Sequence, residues 1–324
     1  MSFPLELAIK LLAAAIIIPT SALVFGYAEL KISAHMQSRI GPYFAGGRWG
    51  WAQLLADGVK FIQKEDVIPR DADHAVFRWA PAVVLVGTVL LFAIIPLGPD
   101  LVVVDLDVGV FYALAVSSLG TIGVLMAGWS SANKYSLIGG LRAAGQLIAY
   151  ELPLVLAVVG VVIQAGTMSL VGIVDAQGAT GLPYVIPQIV GFVIFMIAAL
   201  AELSRIPFDM PIAESELVMG YLTEYTGFRF LFFFLAEYAN MFALAVIAST
   251  LFLGGYWVPF DVDLNLVGPL VVGAKAALII FGFIWFRWTF PRLREDQLQS
   301  LAWKVLIPLA LLNIAVTAIL KVVF

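Results

Sequence analysis

Long apolar runs alternate with short polar connections along the whole chain. Each run holds about 20 residues, the length that an α-helix needs to cross the hydrocarbon core of a bilayer. The runs lie at approximately 7–29, 77–97, 109–130, 147–170, 184–204, 229–254, 267–289 and 302–323. This pattern predicts an all-α polytopic membrane protein with about eight transmembrane helices, in a single membrane domain over residues 1–324.

Composition supports this class of protein. Hydrophobic residues make up 62% of the chain and charged residues only 12%, with a mean hydropathy of +1.01. The first run is long enough to span a membrane and lacks a small-residue cleavage site, so we expect a first helix rather than a signal peptide. With no Cys and only His35 and His74, the chain offers no thiolate or imidazole cluster, and we predict no metal site. Any metal redox centre is then expected in a partner.

The connections differ in charge. All Lys and Arg residues except Lys10, Lys275 and Lys321 lie in or beside the odd-numbered connections. The even-numbered connections PLGPDLVVVDLD, GTMSLVGIVDAQGATGLP and GGYWVPFDVDLN carry Asp but no Lys or Arg. The positive-inside rule therefore predicts that the odd connections face the cytoplasm and that both termini lie on the other side.

The first connection contains an amphipathic stretch, WGWAQLLADGVKFIQKED, which predicts a helix at approximately 49–64. One side carries Gln53, Asp57, Lys60 and Lys64, and the other carries Trp51, Leu54, Leu55 and Ile62. Such a helix lies in the membrane interface. It is either a plain surface helix or the frame of an opening for an apolar or amphipathic ligand, and periodicity alone does not choose.

The third connection, AGWSSANKYSLIGGLRAAGQLIAYELP, is polar and rich in glycine. Lys134 and Arg142 either anchor a helix at the surface or act in a site. Glu151 precedes Pro153 inside the apolar run that follows. Because a lone carboxylate is expensive at membrane depth, we expect Glu151 to face a hydrated interior or a partner.

The densest group of charges follows the fifth run, in AELSRIPFDMPIAESELVMGYLTEY at residues 201–225. Glu202 and Arg205 have the spacing that allows an ion pair across a helix face. Two prolines stop the spanning helix, and Asp209 is placed to cap a new one. That segment is too short and too acidic to span, which predicts an acidic cytoplasmic loop at 205–228 with short helices.

Three carboxylates lie within or at the ends of apolar runs: Glu151, Glu202 and Glu237. Only Lys10, Lys275 and Lys321 provide positive charge inside the predicted spans. These are too few and too scattered to pair with every acid, so the pattern favours a proton-carrying role over structural ion pairs.

Five stretches in order along the chain carry a recognisable pattern: MQSRIGP, LLADGVKFIQKE, AGWSSANKYSLIGGLRAAGQLIAYELP, ALAELSRIPFDMPIAESELVMGYLTEYTGFRFLFFFLAEYANM and WFRWTFPRLREDQLQSLAWKVLIPLALLN. In these stretches, and over essentially its whole length, the chain resembles the membrane subunit at the quinone-reducing end of respiratory complex I, the H or subunit-one family. The resemblance implies eight helices and a place in the bacterial inner membrane. It also implies a role in proton-pumping NADH–quinone oxidoreduction, with quinone as substrate.

The resemblance further implies partners. The odd cytoplasmic loops would build the quinone chamber with two peripheral subunits, one of which carries the terminal iron–sulfur cluster. Iron–sulfur clusters and flavin would then belong to partner subunits. Small membrane subunits, antiporter-like subunits and lipid complete the expected partners, and no nucleic acid is expected.

The resemblance also assigns residues. Arg39 and the amphipathic helix would frame the quinone opening, and Glu151, Glu202 and Glu237 would start a proton path. The acidic loop beneath the chamber would use Arg205, Asp209, Glu214, Glu216 and Glu224. Further supporting residues would be Glu29, Lys134, Arg142, Arg287, Arg292, Arg294 and Asp296.

The chain departs from the family pattern in places. Where the family usually reads P-E-A-E, this chain has Pro211-Ile212-Ala213-Glu214, which removes one titratable group from the acidic loop. Three alternatives therefore stay open: a complex with another electron donor, the membrane subunit of an energy-converting hydrogenase, and a secondary transporter. A transporter typically has repeated halves and broken midplane helices, and no repeat is visible in the sequence.

Overall fold

The computed structural model describes residues 3–260 and 263–323, and every regular element within them is helical. The helices are α1 (Phe3–Met36), α2 (Gln53–Gln63), α3 (His74–Phe92), α4 (Gly109–Ser130), α5 (Lys134–Ala165), α6 (Leu170–Thr180), α7 (Ile189–Glu202), α8 (Glu214–Leu217), α9 (Gly227–Phe252), α10 (Leu264–Thr289), α11 (Glu295–Leu301) and α12 (Ile307–Val323). Short 3-10 turns at Met210–Ile212 and Gly220–Leu222 flank α8, and a π-helical turn at Ala302–Leu306 joins α11 to α12. The predicted all-α fold class is confirmed.

Seven helical segments in the described part of the chain are long and apolar enough to cross a membrane. The fifth predicted run instead forms α7, whose 14 residues extend about 21 Å. That is shorter than the hydrocarbon core of about 30 Å. The chain on either side of α7 continues along α9. Before α7, the Val185 N–H donates to the Phe252 carbonyl at the end of α9; after α7, the Arg205 guanidinium donates to Glu237 in the first half of α9.

Contacts between the predicted connections fall into two groups, one among the odd connections and one among the even connections. The odd connections are joined by Asp66–Arg229, Asn133–Glu224, Arg142–Glu216 and Asp209–Arg292. The even connections are joined by Asp100–Asn265, Asp105–Ser169 and Asp175–Tyr256. The connections that carry Lys and Arg therefore lie at one end of the bundle, and the connections that lack them lie at the other. Which end faces the cytoplasm stays a prediction.

Helix α9 runs through the centre of the bundle. Its most apolar window is 61% buried, the largest share among the spanning helices that the structure describes. The segment ANMFALAVIAST packs closely because its alanines let neighbouring helices approach; Ala239, Ala243 and Ala245 are fully buried. Glu237 stands just before this segment, at the edge of the tightest packing.

Helix α5 begins at Lys134, 13 residues before the predicted start at 147, so Lys134 and Arg142 lie on a helix and not in a connection. Asn133 caps it by accepting a hydrogen bond from a first-turn N–H at 2.8 Å. A Cβ at Gly139 would lie 2.6 Å from the Cα of Gly220, so only glycine allows this close approach. The polar, glycine-rich stretch is therefore helical and packs on the acidic loop.

Helix α2 begins at Gln53, four residues after the predicted start at 49. The chain turns just before α2, at Gly50, where φ is +65°. A Cβ there would lie 2.3 Å from the Pro42 carbonyl oxygen, so only glycine fits this turn. Tyr27 ties the turn to α1 by donating its hydroxyl to the Trp49 carbonyl at 2.5 Å.

Other bounds differ in the same way. Helix α1 continues to Met36, beyond the predicted end at 29, and residues 295–323 form one continuous helix through the π-helical turn, where the run predicted a start at 302. Helix α6 lies in an even connection and was not predicted; Ser169 caps it at 3.1 Å. Short helices therefore occur at both ends of the bundle, whereas the sequence predicted them only at the end that carries the odd connections.

Candidate functional site

A cavity of about 100 Å³ lies within the bundle, walled by α3, α4, α5, α7, α9 and the chain that follows α7. Glu151 of α5, Glu202 at the end of α7 and Glu237 of α9 all line it. The carboxylates of Glu151 and Glu202 are close enough to repel each other. The fold thus brings the three carboxylates singled out in the sequence to one space.

Polar residues that sequence reasoning missed complete the cavity walls: Thr88, Ser117, Ser118, Thr121 and Asn240. The hydroxyls of Thr88, Ser117 and Ser118 donate to carbonyls of their own helices at 3.3, 2.9 and 2.8 Å. Each hydroxyl also has acceptor lone pairs, and the Ser117 hydroxyl lies close enough to the Glu202 carboxylate to form a side-chain hydrogen bond with it. The available signal was the polar stretch SSLGT in the middle of the third apolar run.

Two residues of the acidic loop also line the cavity, Ile212 and Tyr221. Ile212 gives the cavity an apolar wall at this point. Burial, with the charge of Glu237 as a smaller cause, raises the pKa of Tyr221 above its ordinary value. The phenol therefore stays protonated and can donate a hydrogen bond.

Arg205 connects the cavity to a second buried carboxylate. Its Nη1 donates to Glu29 at 2.5 Å and its Nη2 donates to Glu237 at 2.9 Å. Arg287 of α10 forms a further ion pair with Glu29. The guanidinium carbon of Arg205 also lies 4.8 Å from the ring centre of Tyr238. Four charged groups from α1, α9, α10 and the chain after α7 thus form one cluster, which we call the Arg205 cluster.

This geometry corrects two expectations. Arg205 does not pair with Glu202, because α7 ends at Glu202 and Ser204 adopts φ of +50°, which turns the chain out of the helix. Glu237 is not without a basic partner, because Arg205 reaches it from the following loop. Counting only the basic residues inside the spans missed this pair. Glu29, which the resemblance placed among the supporting residues, pairs with both arginines of the cluster.

Two further carboxylates of the acidic loop, Glu216 and Glu224, are held by neighbouring elements. Arg142 of α5 donates to Glu216 at 2.6 Å, and Asn133 donates to Glu224 at 2.5 Å. Glu214 is exposed. The loop is therefore fixed to the first turns of α5, whose early start the sequence did not reveal.

Asp209 pairs with Arg292 at 2.6 Å and makes no side-chain cap to the 3-10 turn that follows it, contrary to expectation. A 3-10 turn of three residues leaves little to cap, and the guanidinium is the stronger partner for a buried carboxylate. Burial raises the pKa of Asp209 above its ordinary value, and Arg292 offsets only part of this rise.

Comparison with known proteins identifies the family. The sequence model of NADH dehydrogenase matches residues 9–318. The chain is 48% identical to the H subunit of NADH-quinone oxidoreductase from Anoxybacillus flavithermus and to that from Bacillus cytotoxicus, and 49% identical to that from Bacillus thuringiensis subsp. konkukian. Each match spans 297 residues, covering 92% of this chain and 88% of the relative. The chain belongs to this family.

Membership confirms the resemblance seen in the sequence. The family consists of membrane subunits of a multisubunit oxidoreductase, respiratory complex I, so other subunits of that complex are partners of this chain. Within residues 3–260 and 263–323, no group of three or more His, Asp or Glu side chains is arranged to hold a metal ion.

The amphipathic helix of the first connection, α2, lies on the surface of the bundle. Leu54 and Phe61 of α2 pack inward, Phe61 with its ring centre 5.3 Å from that of Phe230 on α9. Leu55, Val59 and Ile62 stay exposed on the same helix. The predicted apolar side of α2 is thus divided, with one part holding the helix to the bundle and the other facing outward.

Several residues assigned by the resemblance lie away from the cavity. Arg39 is exposed and donates to Gln37 at 2.6 Å, and Lys134 is exposed at the start of α5. Arg294 forms an exposed pair with Asp296 at 3.0 Å. The structure therefore does not bring these residues to the cavity.

Proposed function

We propose that this chain is the quinone-end membrane subunit of its complex and that it links quinone reduction to proton uptake. The observation that carries this proposal is the convergence of Glu151, Glu202 and Glu237 on one cavity. Carboxylates at membrane depth are expensive, and they commonly mark proton relays. The cavity carboxylates would receive protons and pass them toward the antiporter-like subunits.

The cavity suits hydrated proton transfer. A water molecule needs a polar site with at least two hydrogen-bonding partners and a volume of roughly 10–15 Å³. A volume of about 100 Å³ with hydroxyl and carboxylate walls accommodates several. Such waters would bridge carboxylates that do not touch one another directly.

Quinone chemistry provides the driving charge. Reduction to quinol takes two electrons and two protons, so the electrons bring negative charge until protons follow. At an effective dielectric of about 20, two unit charges roughly 6 Å apart interact by about 3 kcal/mol, or about two pKa units. A shift of that size moves the pKa of an ordinary carboxylate from about 4 to about 6, close enough to neutral pH for the group to bind and release protons. The acidic loop would carry the effect from the chamber to the cavity.

The quinone would enter beside α2 and Arg39. The exposed residues Leu55, Val59 and Ile62 give α2 an outward apolar face at the odd-connection end, which suits an isoprenoid tail arriving from the lipid. The odd connections would complete the chamber with peripheral subunits, including the one that carries the terminal iron–sulfur cluster.

The proposed location is the bacterial inner membrane, with the odd connections in the cytoplasm and both termini outside. The grouping of the Arg-bearing connections at one end supports this orientation through the positive-inside rule. Residues 1, 2 and 324 lie outside the described residues.

A second candidate is the same role in a complex with another electron donor. Ile212 in the cavity wall favours it, since a titratable group usual in the family is missing there. Assays of the purified complex for bound quinone, nickel and flavin would separate an NADH-driven complex from a hydrogenase-type complex and from a transporter.

The test is redox-driven proton pumping by the complex in proteoliposomes. Glu151→Gln and Glu202→Gln keep side-chain size and hydrogen-bonding shape but cannot ionise. We expect assembled complexes with at least tenfold lower pumping. Glu295→Gln, at an exposed carboxylate on α11, is the matched control and should leave both activities unchanged. Normal pumping and quinone reduction in both cavity variants would reject the proposal.

A further inference from the structure

The three cavity carboxylates are in unequal surroundings. Glu237 accepts a hydrogen bond from Arg205 at 2.9 Å, and their side chains are 34% and 2% exposed. Within residues 3–260 and 263–323, neither Glu151 nor Glu202 forms an ion pair. The resemblance places all three carboxylates on one proton path. The geometry instead distinguishes Glu237 from Glu151 and Glu202.

Arg205 carries a permanent charge in this cluster. Burial alone lowers its pKa, but the carboxylates of Glu29 and Glu237 outweigh burial and hold the pKa above its ordinary value. A guanidinium fixed between two carboxylates favours the ionised form of both. With Arg287 on the far side of Glu29, the Arg205 cluster holds two positive and two negative charges and is neutral.

Protonation of Glu237 would break this balance. The cluster would then hold a net positive charge beside the cavity, in a place where Arg205 is 3% exposed and little screened by solvent. Protonation of Glu202 or Glu151 carries no such penalty and relieves the repulsion between those two carboxylates.

We propose that Arg205 divides the cavity carboxylates by role: Glu237 remains an anion that neutralises Arg205, and Glu151 and Glu202 form the pair that takes up the proton. Glu29 and Arg287 are positioning residues, because they hold the guanidinium that fixes Glu237. This inference rests on the proposed function and refines it. Among residues 3–260 and 263–323, other titratable groups that face the cluster or the pair are Tyr221, Tyr238 and Asp209. Asp209 is near Arg287 and is itself neutralised by its pair with Arg292 at 2.6 Å.

The two roles predict opposite results for a double variant. If Glu237 carries protons, Glu237→Gln stops pumping, and a second change at Arg205 restores nothing because no titratable group returns. If Glu237 is the counter-ion of Arg205, Glu237→Gln leaves an unbalanced positive charge that disfavours proton binding by the pair. Adding Arg205→Gln then restores neutrality, with Glu29 still paired to Arg287.

The experiment compares wild type, Glu237→Gln and Glu237→Gln/Arg205→Gln complexes in proteoliposomes. We expect Glu237→Gln to shift the pH profile of pumping to lower pH by about one unit. The double variant should pump at least fivefold faster than the single variant at neutral pH, with the profile returned toward wild type. Asp66→Asn, which breaks the Asp66–Arg229 pair away from the cavity, is the control and should not shift the profile.

No recovery in an assembled double variant would overturn the inference. If the double variant does not assemble, the single variant decides: a shifted profile with activity recovered at low pH supports the counter-ion role, and loss of pumping at every pH refutes it. Failure of the proposed function looks different, because Glu202→Gln would then pump normally.

Discussion

Arg142 on α5 and Glu216 on α8 form an ion pair of 2.6 Å that joins the acidic loop to the first turns of α5. Their side chains are 25% and 57% exposed, so solvent screens the pair. Exposed pairs contribute only about 0.2–1 kcal/mol to stability. The pair therefore orients the loop without holding the bundle together.

Glu216→Gln should lower quinone-dependent turnover while the protein stays in the membrane. Without the pair, the acidic loop is no longer oriented against α5, whereas the free energy of unfolding hardly changes because the pair is exposed. Arg142→Gln removes the other partner and should have a similar effect. The measurement is quinone reduction per assembled complex in isolated membranes. Loss of assembly in both variants would instead assign the pair a structural role.

Arg205→Met should destabilise the protein strongly. The side chain keeps its approximate length but leaves the buried Glu29 with Arg287 alone and removes the basic partner of the partly exposed Glu237. Breaking a buried pair costs about 3–5 kcal/mol, and the exposure of Glu237 places the expected loss at the lower end of that range. Thermal unfolding of the detergent-solubilised complex measures the loss. Arg205→Lys keeps the charge and should lose less. Equal stability of Arg205→Met and wild type would contradict the buried ion pairs.

Val218→Gly should stabilise the acidic loop. Val218 has φ of +64° and ψ of −77°, which strains a β-branched residue by about 1–3 kcal/mol, whereas glycine adopts positive φ freely. After the entropic cost of glycine, a net gain of about 1 kcal/mol is expected in thermal unfolding. Val218→Ala keeps most of the strain and is the control. A stability loss with glycine would mean that the valine side chain makes a contact that outweighs the strain.

Cysteine labelling should locate the two ends of the bundle. The chain has no native Cys, so single cysteines report cleanly. Phe44→Cys, at a side chain that is 91% exposed in the first connection, should react with an impermeant reagent from the cytoplasmic side only. Asp107→Cys, exposed in an even connection, should react only from the other side. The reverse pattern would invert the orientation.

A photoreactive quinone analogue should crosslink at α2 and near Arg39. The outward side chains Leu55, Val59 and Ile62 give the analogue apolar contacts at the odd-connection end. Mass spectrometry of the crosslinked peptides locates the attachment. Excess unlabelled quinone should compete. Crosslinks confined to the even connections would place the opening elsewhere.

The sequence by itself determined the class of fold and the grouping of charge. Hydropathy is a local property of about 20 consecutive residues, so the membrane-spanning runs are visible without a structure. The absence of Lys and Arg from the even connections is visible for the same reason. The long motifs also indicated the family, which the comparisons confirm.

Helix bounds were less predictable where tertiary packing overrides local composition. The glycine-rich polar stretch from Lys134 was interpreted as a connection, because glycine and polar residues are typical of loops. In the fold, Gly139 lets the helix lie against Gly220 of the acidic loop. The residues of the stretch do not by themselves predict that contact, because Gly220 is 81 residues away in the sequence.

Only the tertiary structure decided which charges meet. Arg205 lies three residues from Glu202 in the chain, yet it pairs with Glu29, 176 residues away, and with Glu237, 32 residues away. A turn at Ser204 sets that direction, and the packing of α1 and α9 places the carboxylates. Sequence identifies costly charges because their cost depends on residue type and depth. Their partners depend on distances through space, which are set only when the helices pack.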